Sequence, residues 1–413
     1  MRNSNRFALL ALLALALHAT RIRADDGALP IFSFSAFGTL GVVHSSERRA
    51  DFTSTAAKPV GAGFSQAWSA EPDSILGAQI NARFTPRLSG VLQFDAEQTA
   101  DHTYRPDVEW ANLKYQFTPD FSARVGRTVL PGLMLAATRK IGYAYPWVRP
   151  PVEVYDQVPV TFNDGIDASY RVASGAAINT FQLSMGRTDA EFPGDSILKA
   201  RKLFVAVYTL ERGFLATNAS YGQARVTLST LDPLMDGFRQ FGPEGAAIAD
   251  RYDLNDGLAK FYSLGATYDP ADWFVTGEFQ RVVGDGILGR RTGWYLSGGY
   301  RFGKLTPYVT YARADADNLS DPGLGTAGLP PFLVGPVNDL NAGLNATLAQ
   351  KMVQNTLSVG ARWDMTKNSA LKMQFDHTRI GEGSAGSLTN RQPGFLTGGK
   401  FTLFSASVNF VFK

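Results

Sequence analysis

The chain has 413 residues, with 40 Lys and Arg against 37 Asp and Glu, 45% hydrophobic residues and no cysteine. Arg2, Arg6, Arg21 and Arg23 all lie within residues 1–24, which contain no acid, so the rest of the chain is near neutral, at 36 basic residues against 37 acidic ones. Without a basic run or a basic excess there is no case for nucleic-acid binding, and without cysteine there is no disulfide framework.

Arg2 and Arg6 precede an apolar run from Phe7 to Leu17, and Ala24 stands just before Asp25 and Asp26. This pattern predicts a cleaved secretory signal peptide over residues 1–24, with Ala19 as a rival cleavage point. The run is too short to span a bilayer as a helix. Residues 25–413 are then read as one β-barrel domain, a class exempt from the usual relation of length to domain number.

Beyond the signal the chain is almost entirely period-2 sequence. After a first strand from Phe32 to His44, Leu76, Ala78, Ile80, Ala82 and Phe84 alternate with Gly77, Gln79, Asn81 and Arg83. Further runs place Leu92 and Phe94 opposite Gln93 and Asp95, and Leu113 and Tyr115 opposite Asn112 and Lys114. The alternation continues to the terminal segment, Lys400 to Phe412, for sixteen predicted strands, give or take about two. Connections near Pro86, Pro119, Gly175, Gly213, Pro270, Gly303 and Lys367 are short. Those spanning 45–73, 128–163, 228–258, 314–354 and 380–399 are long. Short and long connections alternating on opposite sides describe an antiparallel up-and-down barrel, for which sixteen strands need seven turns and eight loops.

The stretch from Thr128 to Phe162 breaks the pattern. Pro146, Pro150 and Pro151 remove backbone donors, which excludes a strand, and its density of Tyr, Trp and Val argues for an ordered loop. We expect it to lie inside a pore. Elsewhere Arg83, Asp95, Glu97, Lys114, Arg124, Asp167, Arg171, Glu278, Arg301, Arg362, Lys372 and Asp376 occupy the phase opposite the apolar residues. These charges line either a wet lumen or the solvated outside of a soluble barrel; the export signal and the alternation of connections favour the lumen. Aromatics beside the short turns, such as Tyr115 and Phe117, Tyr268 and Trp273, or Tyr300 and Phe302, fit an interfacial girdle.

The whole exported chain resembles the Gram-negative outer-membrane porins of the sixteen-stranded, general-diffusion type. The resemblance is carried by the opening Phe37-Gly38-Thr39-Leu40-Gly41, the alternating connections and the closing row Phe404, Ala406, Val408, Phe410 and Phe412; Lys413 after the last aromatic departs from the pattern. It implies a transmembrane barrel in the bacterial outer membrane, in contact with its lipid and lipopolysaccharide, commonly a homotrimer, through which small hydrophilic solutes and ions diffuse passively. It also implies that the third long-side loop, here 128–163, narrows the bore, although 314–354 is longer.

The candidate constriction comprises Arg83, Lys114, Arg124, Arg139, Lys140, Arg149, Glu153 and Asp156. Carried over from the resemblance, Glu153 and Asp156 on the loop would face Arg83 and Arg124 on the wall. Tyr143, Tyr145, Trp147 and Tyr155 form either a stacking track for sugars or aromatic acids, as in a substrate-specific porin, or pins that hold the loop to the wall. A non-conducting adhesin or structural barrel is a third reading. The four histidines, at 18, 44, 102 and 377, show no metal-ligand spacing, no nucleophile motif accompanies them and the glycines open no phosphate loop. The expected protein is therefore not an enzyme and needs no cofactor.

Overall fold

The computed structural model of the protein describes residues 31–413; the expected signal peptide lies outside the described residues. Sixteen long strands follow one another: β1 (Phe32–Ser45), β2 (Ile75–Arg83), β3 (Leu88–Glu97), β4 (Asp107–Gln116), β5 (Phe121–Val129), β6 (Phe162–Ser174), β7 (Ala177–Phe192), β8 (Ser196–Arg212), β9 (Leu215–Leu228), β10 (Gly257–Tyr268), β11 (Trp273–Gly284), β12 (Gly289–Tyr300), β13 (Leu305–Ala316), β14 (Gln354–Asp364), β15 (Ser369–Ile380) and β16 (Gly399–Phe412). Each pairs antiparallel with its neighbour in sequence. The ring closes where β16 meets β1, from Ala36 opposite Phe412 to Ser45 opposite Leu403, so no edge remains in the barrel.

Alternation decides which way each side chain points. Leu264, Ile166, Val359 and Phe375 are among the exposed apolar residues on the outside, Leu264 at 62% of its full accessibility. Their neighbours in the opposite phase, Ser263, Asp167, Ser358 and Asp376, are polar and buried. An apolar exterior around a polar interior inverts the arrangement of a water-soluble barrel, and with sixteen closed antiparallel strands it defines a membrane-spanning β-barrel. The aromatics at the short turns pack on one another, as Tyr115 does on Phe117 at 4.8 Å and Tyr268 on Trp273 at 5.5 Å between ring centres.

The strand count stands, but the alternation of connections is less strict than expected. On the long side, β7 and β8 are joined by only 193–195, and β11 and β12 by 285–288. The reason lies in strand length: β7 and β8 run to 16 and 17 residues, so the chain turns far beyond the membrane, with Gly194 and Asp195 both in the left-handed region at φ 78° and 58°. Two other long connections are helical where only loops were expected. Helices α2 (Asp232–Arg239) and α3 (Gly242–Tyr252) pack with α4 (Pro331–Leu348) around Met235, Phe238, Val337, Leu344 and Leu348. The one-turn helix α1 (Val152–Tyr155) lies in 130–161, the third connection on the long side of the barrel, of which 46–74 is the first.

Leu264→Arg places a charge on the outer face near the middle of β10 and is expected to lower folding stability by about 2–4 kcal/mol in a bilayer. Denaturant titration in vesicles measures this; a loss below half a kcal/mol would contradict the lipid-facing assignment.

Candidate functional site

The segment 130–161 leaves β5, returns to β6 and bonds in between to the polar phase of strands far round the barrel. The amide of Met134 donates to Glu278 on β11 at 2.8 Å, and Trp147 Nε1 donates to Ser297 Oγ on β12 at 2.8 Å. The Val148 amide reaches Gln374 Oε1 on β15 at 3.1 Å. Lys372, on the same strand, donates to the carbonyls of Gly142 and Trp147, and Arg362 on β14 donates to those of Tyr143 and Tyr145. Wall cations thus take the place of water for loop carbonyls that no regular secondary structure satisfies.

Arg149 is the most enclosed of the loop cations. Its Nε donates to Asp73 in the first connection at 2.7 Å, Nη1 to Asp376 on β15 at 3.2 Å and Nη2 to Ser405 on β16 at 2.7 Å, while the ring of Phe52 lies 5.0 Å from the guanidinium. Burial opposes its charge, but Asp73 and Asp376 outweigh that and hold the group above the ordinary arginine range.

Lys140 crosses to the other wall. Its ammonium meets Asp95 at 2.8 Å, Glu97 at 3.1 Å and Glu109 at 2.8 Å on β3 and β4, while Lys58 of the first connection meets Glu97 at 2.9 Å. Burial acts to discharge Lys140, yet the three carboxylates raise it well above the usual lysine range. Glu109 points inward because the ladder between β3 and β4 shifts register between Gln93 and Phe94, which brings Glu109 out of its expected phase. Arg139 donates to the carbonyls of Tyr155 and Val158 at 3.1 and 3.4 Å and has no carboxylate partner among the described residues.

The expected opposition of loop acids to wall bases is not what the structure contains. Glu153, in α1 between the buried Val152 and Val154, accepts from Gln354 at 2.7 Å and from Thr356, both on β14. Asp156 accepts from the Ala56 amide at 2.9 Å. Arg83, Lys114 and Arg124 instead belong to one cross-strand row of β2 to β5, running Arg83, Ser89, Lys114, Arg124, and Arg124 is already held by Asp167 at 2.6 Å. The polarity is reversed at the closest loop-to-wall charge contact, where a loop lysine meets wall acids.

Nor do the loop aromatics offer an open track. Tyr145, Trp147 and Tyr155 are buried, Trp147 packing edge-on against Tyr295 at 5.5 Å and the Tyr155 hydroxyl donating to Glu278 at 2.6 Å. They pin the loop. Tyr143 is only half-buried and donates to the Lys367 carbonyl at 2.9 Å. Above the loop lies a cavity of about 430 Å³, walled by the first connection, the third connection and β3, β4 and β7, with Lys140, Arg139, Asp95, Glu109 and Glu191 on its surface.

No family model matches the chain, and no curated protein matches it. Among solved structures it is similar to the anion-selective porin of Comamonas acidovorans, at 12% identity and a TM-score of 0.54 over 92% of this chain and all of that one. It is similar to Salmonella typhi OmpF in complex with daunomycin, at 12% identity and 0.54 over 92% of this chain and 97% of that one. It is also similar to OmpT, an outer membrane protein of Vibrio cholerae, at 10% identity and 0.50 over 94% of this chain and all of that one. At such identities the likeness establishes a shared fold: this chain has the barrel architecture of the porins.

Arg149→Met would strand Asp73 and Asp376 without a cation and is expected to cost about 3–5 kcal/mol, read as a lower unfolding midpoint in detergent. A second expectation concerns pH. Burial pushes the Asp156 carboxyl up to about 6 against the pull of the Ala56 amide, and the same cause raises Glu153. A carboxyl raised above its unfolded value of about 3.9 stabilises the fold fully below that value and loses the contribution as pH rises through its folded value. Asp156→Asn should therefore flatten the decline in melting temperature between pH 4 and pH 7, leaving the part due to Glu153. An unchanged slope would remove Asp156 from the account.

Proposed function

We propose that this protein is an outer-membrane porin, a water-filled channel for passive diffusion of small hydrophilic solutes and ions. The observation that carries the reading is the closed barrel with its apolar face outward and its charges inward, around a cavity bordered by the third connection. Sixteen strands enclose more space than wall side chains fill, so the width and charge of the narrowest level set what passes. We place that level where Lys140 reaches Asp95 and Glu109, with Lys58, Arg139, Arg149, Glu153 and Asp156 around it. The basic row of Arg83, Lys114 and Arg124 lies toward the short turns and forms a second charged level. Export through a signal peptide and assembly as a homotrimer belong to the same reading, with family resemblance as the support for the trimer. It assigns no reaction to the chain: His44 packs on Trp68, His102 meets Glu71 at 3.0 Å and His377 lies on the outer phase beside Phe375.

A substrate-specific channel is the second reading, favoured by loop contacts that reach from β3 round to β11 and leave a narrow passage lined by charges of both signs. Single-channel recording in planar bilayers separates the two. Large ohmic steps support general diffusion, small steps blocked by one sugar or organic acid support selectivity, and silence from folded protein contradicts both. Lys140→Gln should leave Asp95 and Glu109 without a cation partner, Glu97 keeping Lys58, and shift the reversal potential toward cations by tens of millivolts in a tenfold salt gradient, as expected for acidic rings in cation channels. A reversal potential equal to that of the wild type would place the constriction elsewhere.

A further inference from the structure

At the end of the barrel that bears the long connections, packed chain covers the bore from two opposite sides. Helices α2, α3 and α4 share one apolar cluster with Ala200 of β8 and Val226 of β9. Val226 stands in the phase of Ser220, whose hydroxyl donates to the Gly132 carbonyl of the third connection, so the helices rest on the inner face of the wall and lean over the bore. Across from them, Phe52 and Ala62 of the first connection and Leu388 of the eighth, 381–398, pack on Val43 of β1 and Leu403 of β16. Beneath these covers the third connection lies tight against the wall. The space beside Gln280 on β11 holds about 20 Å³ and the one beside Asp376 on β15 about 30 Å³. One water needs about 10–15 Å³, so such spaces admit water and no larger solute.

The cavity of about 430 Å³ is different in kind, and its lining runs only from Thr39 to Glu191. Its exposed lining residues are Arg105, Asp107, Asp189 and Glu191, which mark where it meets the outside. That place is a notch in the wall. β5 ends at Val129 and β6 begins at Phe162, whereas β7 runs on to Phe192 although its pairing with β6 stops at Arg187 opposite Asp164. The second connection, 98–106, flanks the notch on one side and the free upper part of β7 on the other. Arg105 spans it, donating to Glu191 at 2.8 Å, with Asp101 and Asp107 at 3.6 and 3.8 Å from the same guanidinium. All four side chains are about half exposed. Ion pairs this exposed contribute about 0–1 kcal/mol and weaken with salt, so the clasp opens readily.

We propose that solutes enter through this notch and follow the wall of β3 to β7 down to Lys140, with Arg105 and Glu191 setting the size limit at the outer opening. The inference rests on the channel reading and deepens it, replacing an axial entrance by an eccentric one. Two charged levels then act in series. The outer one is a soft clasp between the second connection and β7, and the inner one is the enclosed contact of Lys140 with Asp95 and Glu109.

The chain has no cysteine, so a single introduced thiol can be blocked at one place. Ala190→Cys puts the thiol in the cavity lining between Asp189 and Glu191, and Ala327→Cys puts it on the exposed approach to α4, over the covered side. Single-channel current in planar bilayers is recorded before and after addition of a bulky thiol-reactive polyethylene glycol, with labelling verified by mass and folding by heat-modifiable electrophoretic migration. Labelling at position 190 should remove most of the current, and labelling at 327 should leave it unchanged. Current that survives at 190, or is lost at 327, would overturn the route. Arg105→Ala should raise trisaccharide entry relative to monosaccharide entry in liposome swelling by roughly two- to threefold, since the width of the opening sets what passes. An unchanged ratio removes the clasp from the size limit. A folded wild type without current ends the channel reading and this route together, whereas a conducting wild type indifferent to the label at 190 ends the route alone.

Discussion

Everything in this structure depends on the ladder between β1 and β16. In a hydrocarbon layer no water is present to satisfy a free backbone group, so the same strands left as an open sheet would expose two rows of donors and acceptors, each group at a cost of several kcal/mol. Pairing from Ala36 to Ser45 with Phe412 to Leu403 removes both rows at once. Closure then determines the rest. It fixes which phase meets lipid, it creates an interior that side chains of the wall do not fill, and it leaves that interior to the connections. The first and third connections occupy it with charges and prolines that a strand would not tolerate.

The interior is organised by unequal partners. On the side of β11 to β16, the third connection lies against the wall through Trp147, Tyr155 and Arg149, with the carbonyls of its irregular backbone capped by Lys372 and Arg362. On the side of β3 and β4, one ammonium joins it to three carboxylates. The first contact surface is largely dry and built from shape as much as charge; the second borders the cavity and is almost entirely electrostatic. Salt acts mainly on the second, because screening weakens partly solvated pairs far more than buried ones.

Much of the fold was legible because a barrel in lipid writes its periodicity plainly. Leu76 to Phe84 announces its two faces residue by residue, and turns at Gly175, Gly213 and Gly303 sit where φ is positive. What was not legible has identifiable causes. Glu109 was hidden by a register shift in the ladder, which turns a residue inward against its parity. The tight end of β7 and β8 was hidden because period-2 patterning does not say how far a strand projects past the bilayer. Helices α2, α3 and α4 bury their apolar residues in one cluster with Ala200 of β8 and Val226 of β9, at helical spacing that the period-2 pattern does not contain. The opposition of Glu153 and Asp156 to Arg83 and Arg124 came from analogy, and local bonding overrode it: Thr356, Gln354 and the Ala56 amide are near at hand, and Asp167 already satisfies Arg124. Side-chain partners separated by a hundred residues or more leave no trace in a single sequence.

The partners of Arg149 also set an order of events for assembly. Asp73 lies 76 residues before it, Asp376 and Ser405 lie 227 and 256 residues after it, and the last of these belongs to the closing strand. Until β15 and β16 have both arrived, the guanidinium has only Asp73 to offset its removal from water, since Asp376 and Ser405 are missing. The third connection therefore cannot take its final seat in a partly inserted sheet; it locks as the seam closes. The bore of a barrel caught before closure is open and unguarded, and the narrow passage comes into being in the same step that makes the protein whole.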